Sequence, residues 1–140
     1  MDCVIGVGLY VNGSREAAAL YQEAFGFQLG YHVLNQDGSF FHSELVKDGN
    51  PACSVVEAQE PIGMGGNPID LGYFFHTREE LEQAFSLLKV GGKVTMEPQE
   101  LPWSPWAACV TDRFGVRWFL SLPNHLPSED FQPGNEQRQS

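Results

Sequence analysis

Hydrophobic and polar residues alternate over positions 4–11, where every second residue from Val7 is apolar. This period-two pattern predicts a β-strand with one buried face. From Ser14 the apolar positions recur at helical spacing, and Gly26 ends the predicted helix. Turn residues then separate three further predicted strands, at about 27–35, 39–47 and 52–58.

The second half of the chain repeats this order. A predicted strand over about 69–76 leads into a helix from Thr77, which has Glu80 at the capping-box position and ends at the Gly91-Gly92 pair. Ser14-Arg15-Glu16 and Thr77-Arg78-Glu79 therefore open two equivalent helices 63 positions apart, which indicates an internal repeat. Three more predicted strands complete the second copy, near 93–97, 106–111 and 116–121.

The repeat predicts an α+β fold made of two tandem βαβββ modules. We expect a single domain over residues 1–122, with modules at about 1–59 and 69–122 joined by a segment rich in glycine and proline. From 123 to 140 polar residues and proline dominate, so a loose tail is expected. In each module one sheet face would cover the helix, and the opposite faces would be able to close around a cavity.

Composition excludes some partners. The formal net charge of −10 and the scattered Lys and Arg residues argue against nucleic acid, and the apolar runs are too short to span a membrane. No secretory signal pattern is visible at the N-terminus, so we expect a cytoplasmic protein. Its three cysteines have no CxxC spacing and are expected to be free thiols, not disulfide or metal ligands.

Strings in both halves resemble the PhnB-like branch of the vicinal oxygen chelate superfamily, which includes glyoxalases, bleomycin-resistance proteins and extradiol dioxygenases. The most specific is Val110-Thr111-Asp112-Arg113-Phe114-Gly115-Val116-Arg117-Trp118, and Gly91–Met96 and Gln99–Trp103 support it. In the first half the similar strings are Ala19–Gly26 and Phe41–Leu45. The resemblance implies a U-shaped mixed sheet around a cavity, a small organic ligand and a homodimer.

Metal-dependent members of this superfamily hold a divalent cation with His, Gln or Glu on four strands. Carried onto this sequence, the pattern places these positions near Gly6, Glu57, Asp70 and Phe119. Two of the four have no donor atom in the side chain, and a cation at an open site needs N or O donors. We therefore expect no family metal site and no cofactor, with a divalent metal as the alternative.

Strand alternation assigns side chains to the cavity face. If Gly6 and Asp70 point inward, then Gly8, Tyr10, Gly72 and Phe74 do so too. The glycines would either leave volume for a ligand or only relieve crowding or mark bulges. In the last strand Arg117 and Phe119 would face the cavity together with Ser121. Arg117 would bind an anion there, pair with Asp112, or lie at the wet rim. Trp103 and Trp106, beside prolines, would form an aromatic lid or anchor a loop.

His42 lies in the middle of a predicted strand, two residues before Glu44. It would act as a general base or be a structural histidine. The expected ligand pocket is thus Tyr10, His42, Glu57, Asp70, Phe74, Trp103, Trp106, Arg117 and Phe119. Three functions stay open at this point: metal-free binding of a small molecule, a metal-dependent lyase, isomerase or dioxygenase using Asp70, Glu57 and His42, and a metal-free enzyme using His42 and Arg117. No nucleotide or serine-hydrolase motif is present.

Overall fold

The computed structural model describes residues 5–123, which form two helices and eight strands. The first module contains β1 (Gly8–Val11), α1 (Ser14–Phe25), β2 (Gln28–Leu34), β3 (Phe40–Lys47) and β4 (Asn50–Glu57). The second contains β5 (Leu71–Phe74), α2 (Arg78–Leu88), β6 (Lys93–Leu101), β7 (Ser104–Thr111) and β8 (Arg117–Ser121). The predicted α+β class and the duplicated βαβββ order are confirmed.

The strands form two four-stranded sheets with the same topology, ordered β1-β4-β3-β2 and β5-β8-β7-β6. In each sheet the first strand of the module runs parallel to the last, and the remaining pairs are antiparallel. Both sheets are therefore mixed. The helix carries the chain back between the first and second strands of the module. After two further reversals, the last strand therefore runs in the same direction as the first.

One face of each sheet packs on the helices, as the alternation predicted. Leu9 and Val11 on β1 are buried, and so are Trp118 and Leu120 on β8. The buried residues of both modules belong to one hydrophobic cluster. The opposite face of each sheet carries the residues between these positions and is not covered by the helices; we call it the open face.

A buried carboxylate joins the two modules inside this cluster. Asp112, fully buried in the turn before β8, accepts hydrogen bonds from the Tyr21 hydroxyl of α1 at 2.6 Å and from Trp118 Nε1 at 3.0 Å. The backbone N–H groups of Phe114 and Val116 donate to its other oxygen. The contact between Tyr21 and Asp112 therefore fixes the first helix against the last hairpin of the other module.

The β6–β7 hairpin is more regular than the sequence indicated. Strand pairing continues to Leu101 and resumes at Ser104, whereas the predicted strands ended near 97 and began near 106. Proline is tolerated here because β6 is an edge strand, and because Pro105 lies where the pairing register shifts. Within residues 5–123 neither helix is long and apolar enough to cross a membrane. Except for Pro123, the expected tail lies outside the described residues.

Candidate functional site

Tyr10 and His42 lie on the open face of the first sheet. Tyr10, on β1, is 62% exposed, and the His42 ring on β3 is 6.3 Å from that of Tyr31. His42 Nε2 is 3.1 Å from a carboxylate oxygen of Glu44, two residues further along the strand, in an exposed ion pair. This pair offers one imidazole and one carboxylate to any molecule on this face.

Two exposed aromatic residues of the first sheet were not predicted. Tyr31 and Phe41 are 67% and 65% exposed. The pairing of β2 with β3 shifts register between Leu29 and His32, around Tyr31, and again between Val33 and Leu34. Phe41 has no partner strand residue at the second shift. Such bulges displace side chains from strict alternation. A period-two pattern therefore could not assign either residue to a face.

Asp70, Arg117 and Phe119 meet at the open face of the second sheet. Phe119 pairs with Gly72 on one side and Cys109 on the other. Burial raises the pKa of the Cys109 thiol, the Asp70 carboxylate raises it further, and the Arg117 guanidinium opposes both. Both charges therefore act on this thiol.

Arg117 does not pair with Asp112, one of the alternatives considered from the sequence. Its Nη1 donates to the backbone oxygen of Asn67 at 3.0 Å, and the side chain is exposed. The guanidinium therefore lies at the edge of the second open face, beside the segment that links the modules. Phe74, on β5, is exposed on the same strand face as Gly72. Trp103 is partly exposed in the turn between β6 and β7.

Trp106 and Glu57 lie on the helix side, and their assignment to the pocket is corrected. Trp106 Nε1 donates to Glu82 on α2 at 3.0 Å, and the Arg78 guanidinium is centred 3.5 Å above its ring. Trp106 is two residues from buried Ala108 on β7, so the two side chains lie on the same face of the strand, the helix side. Trp106 therefore cannot close over the open face. It anchors α2 to its own sheet instead.

The Glu57 carboxylate caps the first helix. Its two oxygens accept hydrogen bonds from the backbone N–H groups of Gly13 at 3.0 Å and Ser14 at 2.8 Å. Gly13, at the N-cap position, has no side chain that could accept these hydrogen bonds. The Ser14 hydroxyl accepts from the N–H of Phe40 instead, so Glu57 supplies the cap. Burial of this carboxyl opposes ionisation, but the N–H groups of Ser14 and Gly13 hold its pKa below the ordinary 4.5.

Loss of this cap should destabilise the protein measurably. We expect Glu57→Ala to lower the free energy of unfolding by about 1 kcal/mol, the usual cost of losing a helix cap. Because the folded-state pKa is depressed, the stabilisation by Glu57 is present above the unfolded-state pKa and is lost as the pH falls through the folded value. Urea titrations of wild type and variant should therefore differ near neutral pH and converge in acid. An equal difference at both pH values would contradict this role.

Within residues 5–123, the positions that correspond to the metal ligands of the superfamily do not come together in one chain. Glu57 is turned to α1, and the positions of Gly6 and Phe119 have no donor. In the part of the chain that the structure describes, no three His, Cys, Asp or Glu residues lie close enough together to hold an ion. Asp70 directly precedes β5 of the second sheet, whereas the His42–Glu44 pair lies on the first, and no hydrogen bond between residues 5 and 123 connects them.

The fold and the exposed sheet faces define an α+β protein of two βαβββ modules. The sequence model of the glyoxalase/bleomycin resistance protein/dioxygenase superfamily matches residues 4–120. The chain belongs to this superfamily, as the motifs in its sequence indicated. No curated protein matches it.

Solved structures with the same fold include a PhnB protein from Bacillus cereus, with 20% identity and a TM-score of 0.70 over 86% of this chain and 99% of that one. A protein of Pseudomonas aeruginosa has 23% identity and a TM-score of 0.72, over 87% and 98% of the two chains. FosX, a fosfomycin resistance protein from Listeria monocytogenes in complex with Mn(II) and sulfate, has 13% identity and a TM-score of 0.62, over 88% and 91%. At these identities the likeness shows a shared fold.

Proposed function

We propose that this protein is a PhnB-like, small-molecule-binding member of the superfamily that works without the metal site of its metal-dependent relatives. The observation that carries the proposal is the exposure of aromatic side chains on sheet faces that the helices leave open. Tyr10 and Tyr31 are exposed on the first sheet, and Phe74 on the second. Contiguous exposed apolar surface on a water-soluble domain is typical of a binding surface.

Glycine leaves space next to these aromatic residues. A Cβ atom added at Gly6 would have no neighbour within 4 Å, and at Gly8 it would meet only the Tyr10 ring, at 3.6 Å. Neither residue has a positive φ. Within one chain, crowding and backbone strain therefore do not account for these glycines, which favours the interpretation that they leave volume for a ligand.

A second copy of the chain would complete the site. In one chain Tyr10, Tyr31 and Phe74 are exposed, whereas a small-molecule site normally buries most of its ligand. We propose a homodimer in which the open faces of the two copies enclose the ligand. We also propose that the protein is cytoplasmic, which is consistent with the free thiols of Cys53 and Cys109.

A substitution that fills this volume tests the proposal. The probe is 8-anilinonaphthalene-1-sulfonate, an aromatic anion whose fluorescence rises in an apolar site. Wild-type protein should bind it saturably, and Gly8→Leu should weaken the binding about tenfold, a free-energy loss of about 1.4 kcal/mol. The melting temperature should not change, because the added side chain meets only the movable Tyr10 ring.

Gly65→Leu is the matched control. Gly65 lies in the linker, a Cβ atom added there would also have no neighbour within 4 Å, and its φ is not positive. Its substitution should leave dye binding unchanged. Binding that is not saturable, or that falls equally in the two variants, would contradict a site on the open face.

The His42–Glu44 pair favours a second candidate, a divalent-metal-dependent lyase, isomerase or dioxygenase. In a dimer this pair and the Asp70 carboxylate of another copy would be able to contribute donors to one ion. Stoichiometric Zn, Mn, Fe or Ni in protein purified without chelator, lost in His42→Ala, would support this candidate and refute the metal-free proposal. Protein without metal that still binds the dye would favour the first.

A further inference from the structure

A partly open cavity lies where the two modules meet, on the helix side of both sheets. It has a volume of about 270 Å³, and we call it the seam cavity. Val7 and Cys53 line it from the first module, and Leu71, Tyr73 and Trp118 line it from the second. Leu71 pairs with Trp118 on the buried face of the second sheet, so the side chains that line the seam cavity from this sheet are not on its open face. Gly72 also borders the cavity, through its backbone.

Most side chains that line the seam cavity are apolar or aromatic. Lys47, at the end of β3, contributes the only charged group among the described residues around it. Its ammonium nitrogen donates to the carbonyl oxygen of Phe25 at 2.7 Å, and the Tyr73 hydroxyl donates to the same oxygen at 3.2 Å. An ammonium has three donor hydrogens. One holds Lys47 at the end of α1, and two remain for another acceptor.

Lys47 forms no ion pair with a described carboxylate. Lys47 also borders a neighbouring groove, which is lined by Glu23, Asp48 and Glu80. The seam cavity itself is lined by no acidic residue within 5–123. In a chain with a net charge of −10, an apolar cavity whose only charge is positive favours an anion with an apolar body.

The size of the cavity limits that body. A cavity of about 150 Å³ accommodates benzene. The seam cavity is larger and therefore accommodates a substituted single ring or a short branched chain. Trp118 and Tyr73 supply aromatic faces on which a ring would stack or pack edge-on.

We propose that the seam cavity is a second binding site, for a small aromatic or short-chain carboxylate whose carboxylate meets Lys47. The apolar body of the ligand lies between the modules and contacts Trp118. Trp118 also donates a hydrogen bond to Asp112, which accepts another from Tyr21. A ligand that contacts Trp118 therefore contacts the hydrogen-bond network that joins the modules. Binding there would stabilise one relative position of the two modules.

Two cysteines allow a test on the folded protein. Cys53 lines the seam cavity, and Cys109 is on the open face of the second sheet. In a Cys3→Ser background these are the two remaining thiols. Burial raises the pKa of the Cys53 thiol to about 11, so alkylation is followed at mildly alkaline pH over long times. The reagent is iodoacetamide, and mass spectrometry gives the extent of reaction at each cysteine.

Saturating benzoate should slow alkylation of Cys53 about tenfold and leave Cys109 unchanged. Benzylamine, which has similar size and opposite charge, should not protect Cys53, and benzyl alcohol should protect it less than benzoate. Lys47→Met keeps most of the apolar stem and should abolish the advantage of benzoate over benzyl alcohol. The three ligands on unmutated Lys47 test the proposal even if that variant folds poorly.

An unchanged Cys53 rate in benzoate, or equal protection by benzylamine, would overturn the proposal. Equal slowing at both cysteines would also overturn it, because general stabilisation would explain that result. Protection of Cys109 alone would place benzoate on the open face. That outcome would refute the seam site while supporting the function proposed above, so the two proposals fail separately.

Discussion

Replacing Asp112 by alanine is expected to lower the free energy of unfolding by about 3 kcal/mol or more, the largest stability effect of any single substitution proposed for this chain. The change leaves four buried donors without their acceptor: Tyr21, Trp118 and two backbone N–H groups. Urea unfolding followed by tryptophan fluorescence measures the loss. In a domain of this size the melting temperature should fall by roughly 10 °C.

Tyr21→Phe provides a milder variant that should fold. It removes one hydrogen bond to a charged acceptor and should cost about 1.5 kcal/mol. Asp112→Asn and the double variant complete a thermodynamic cycle, and a coupling of about 1 kcal/mol or more between positions 21 and 112 would confirm that the two groups interact directly. Additive effects would contradict the proposed link between the modules.

High pH offers an independent check of the same contact. Burial and the negative charge of Asp112 raise the pKa of the Tyr21 hydroxyl well above its ordinary 10.0. A raised folded-state pKa means that Tyr21 contributes its full stabilisation below the unfolded-state value and that this contribution falls as the pH rises beyond it. Above about pH 10 the wild type should therefore lose stability faster than Tyr21→Phe.

The sequence predicted the architecture well because the repeat and the alternating strands depend on local spacing. Leu9 and Val11 face the core as expected, and Thr77 caps its helix by accepting from the N–H of Glu80. Asp112 shows the limit. From sequence Asp112 entered only as one of the alternatives for Arg117, because nothing local indicates that Tyr21, 91 positions away, donates to it.

The candidate site was predicted less completely, for two physical reasons. Strand bulges displaced Tyr31 and Phe41 from the expected alternation. Glu57 was assigned to the pocket, but the uncapped N-terminus at Gly13 binds its carboxylate on the other face. A one-residue error in strand register reverses the face of a side chain, so residues near strand ends are the hardest to assign.

The second large effect concerns assembly. If a second copy covers the open faces, Tyr10→Asp should weaken the dimer about a hundredfold, or about 3 kcal/mol. Each dimer would bury two additional carboxylates without partners, which is strongly unfavourable. Sedimentation equilibrium over a range of protein concentrations measures the dissociation constant. The same variant should lose binding of the anilinonaphthalene dye, because the enclosed site would no longer form.

Val90→Asp is the control for surface charge. Val90 follows α2 and is 61% exposed, nearly the same fraction as Tyr10, but it is not on either open face. An aspartate there adds the same charge and should leave the dimer intact. A wild-type protein that is monomeric at high concentration, or equal weakening by the two substitutions, would refute burial of Tyr10 between copies. Since dye binding depends on that enclosure, a monomeric wild type that binds the dye tightly would show that one chain forms the site alone.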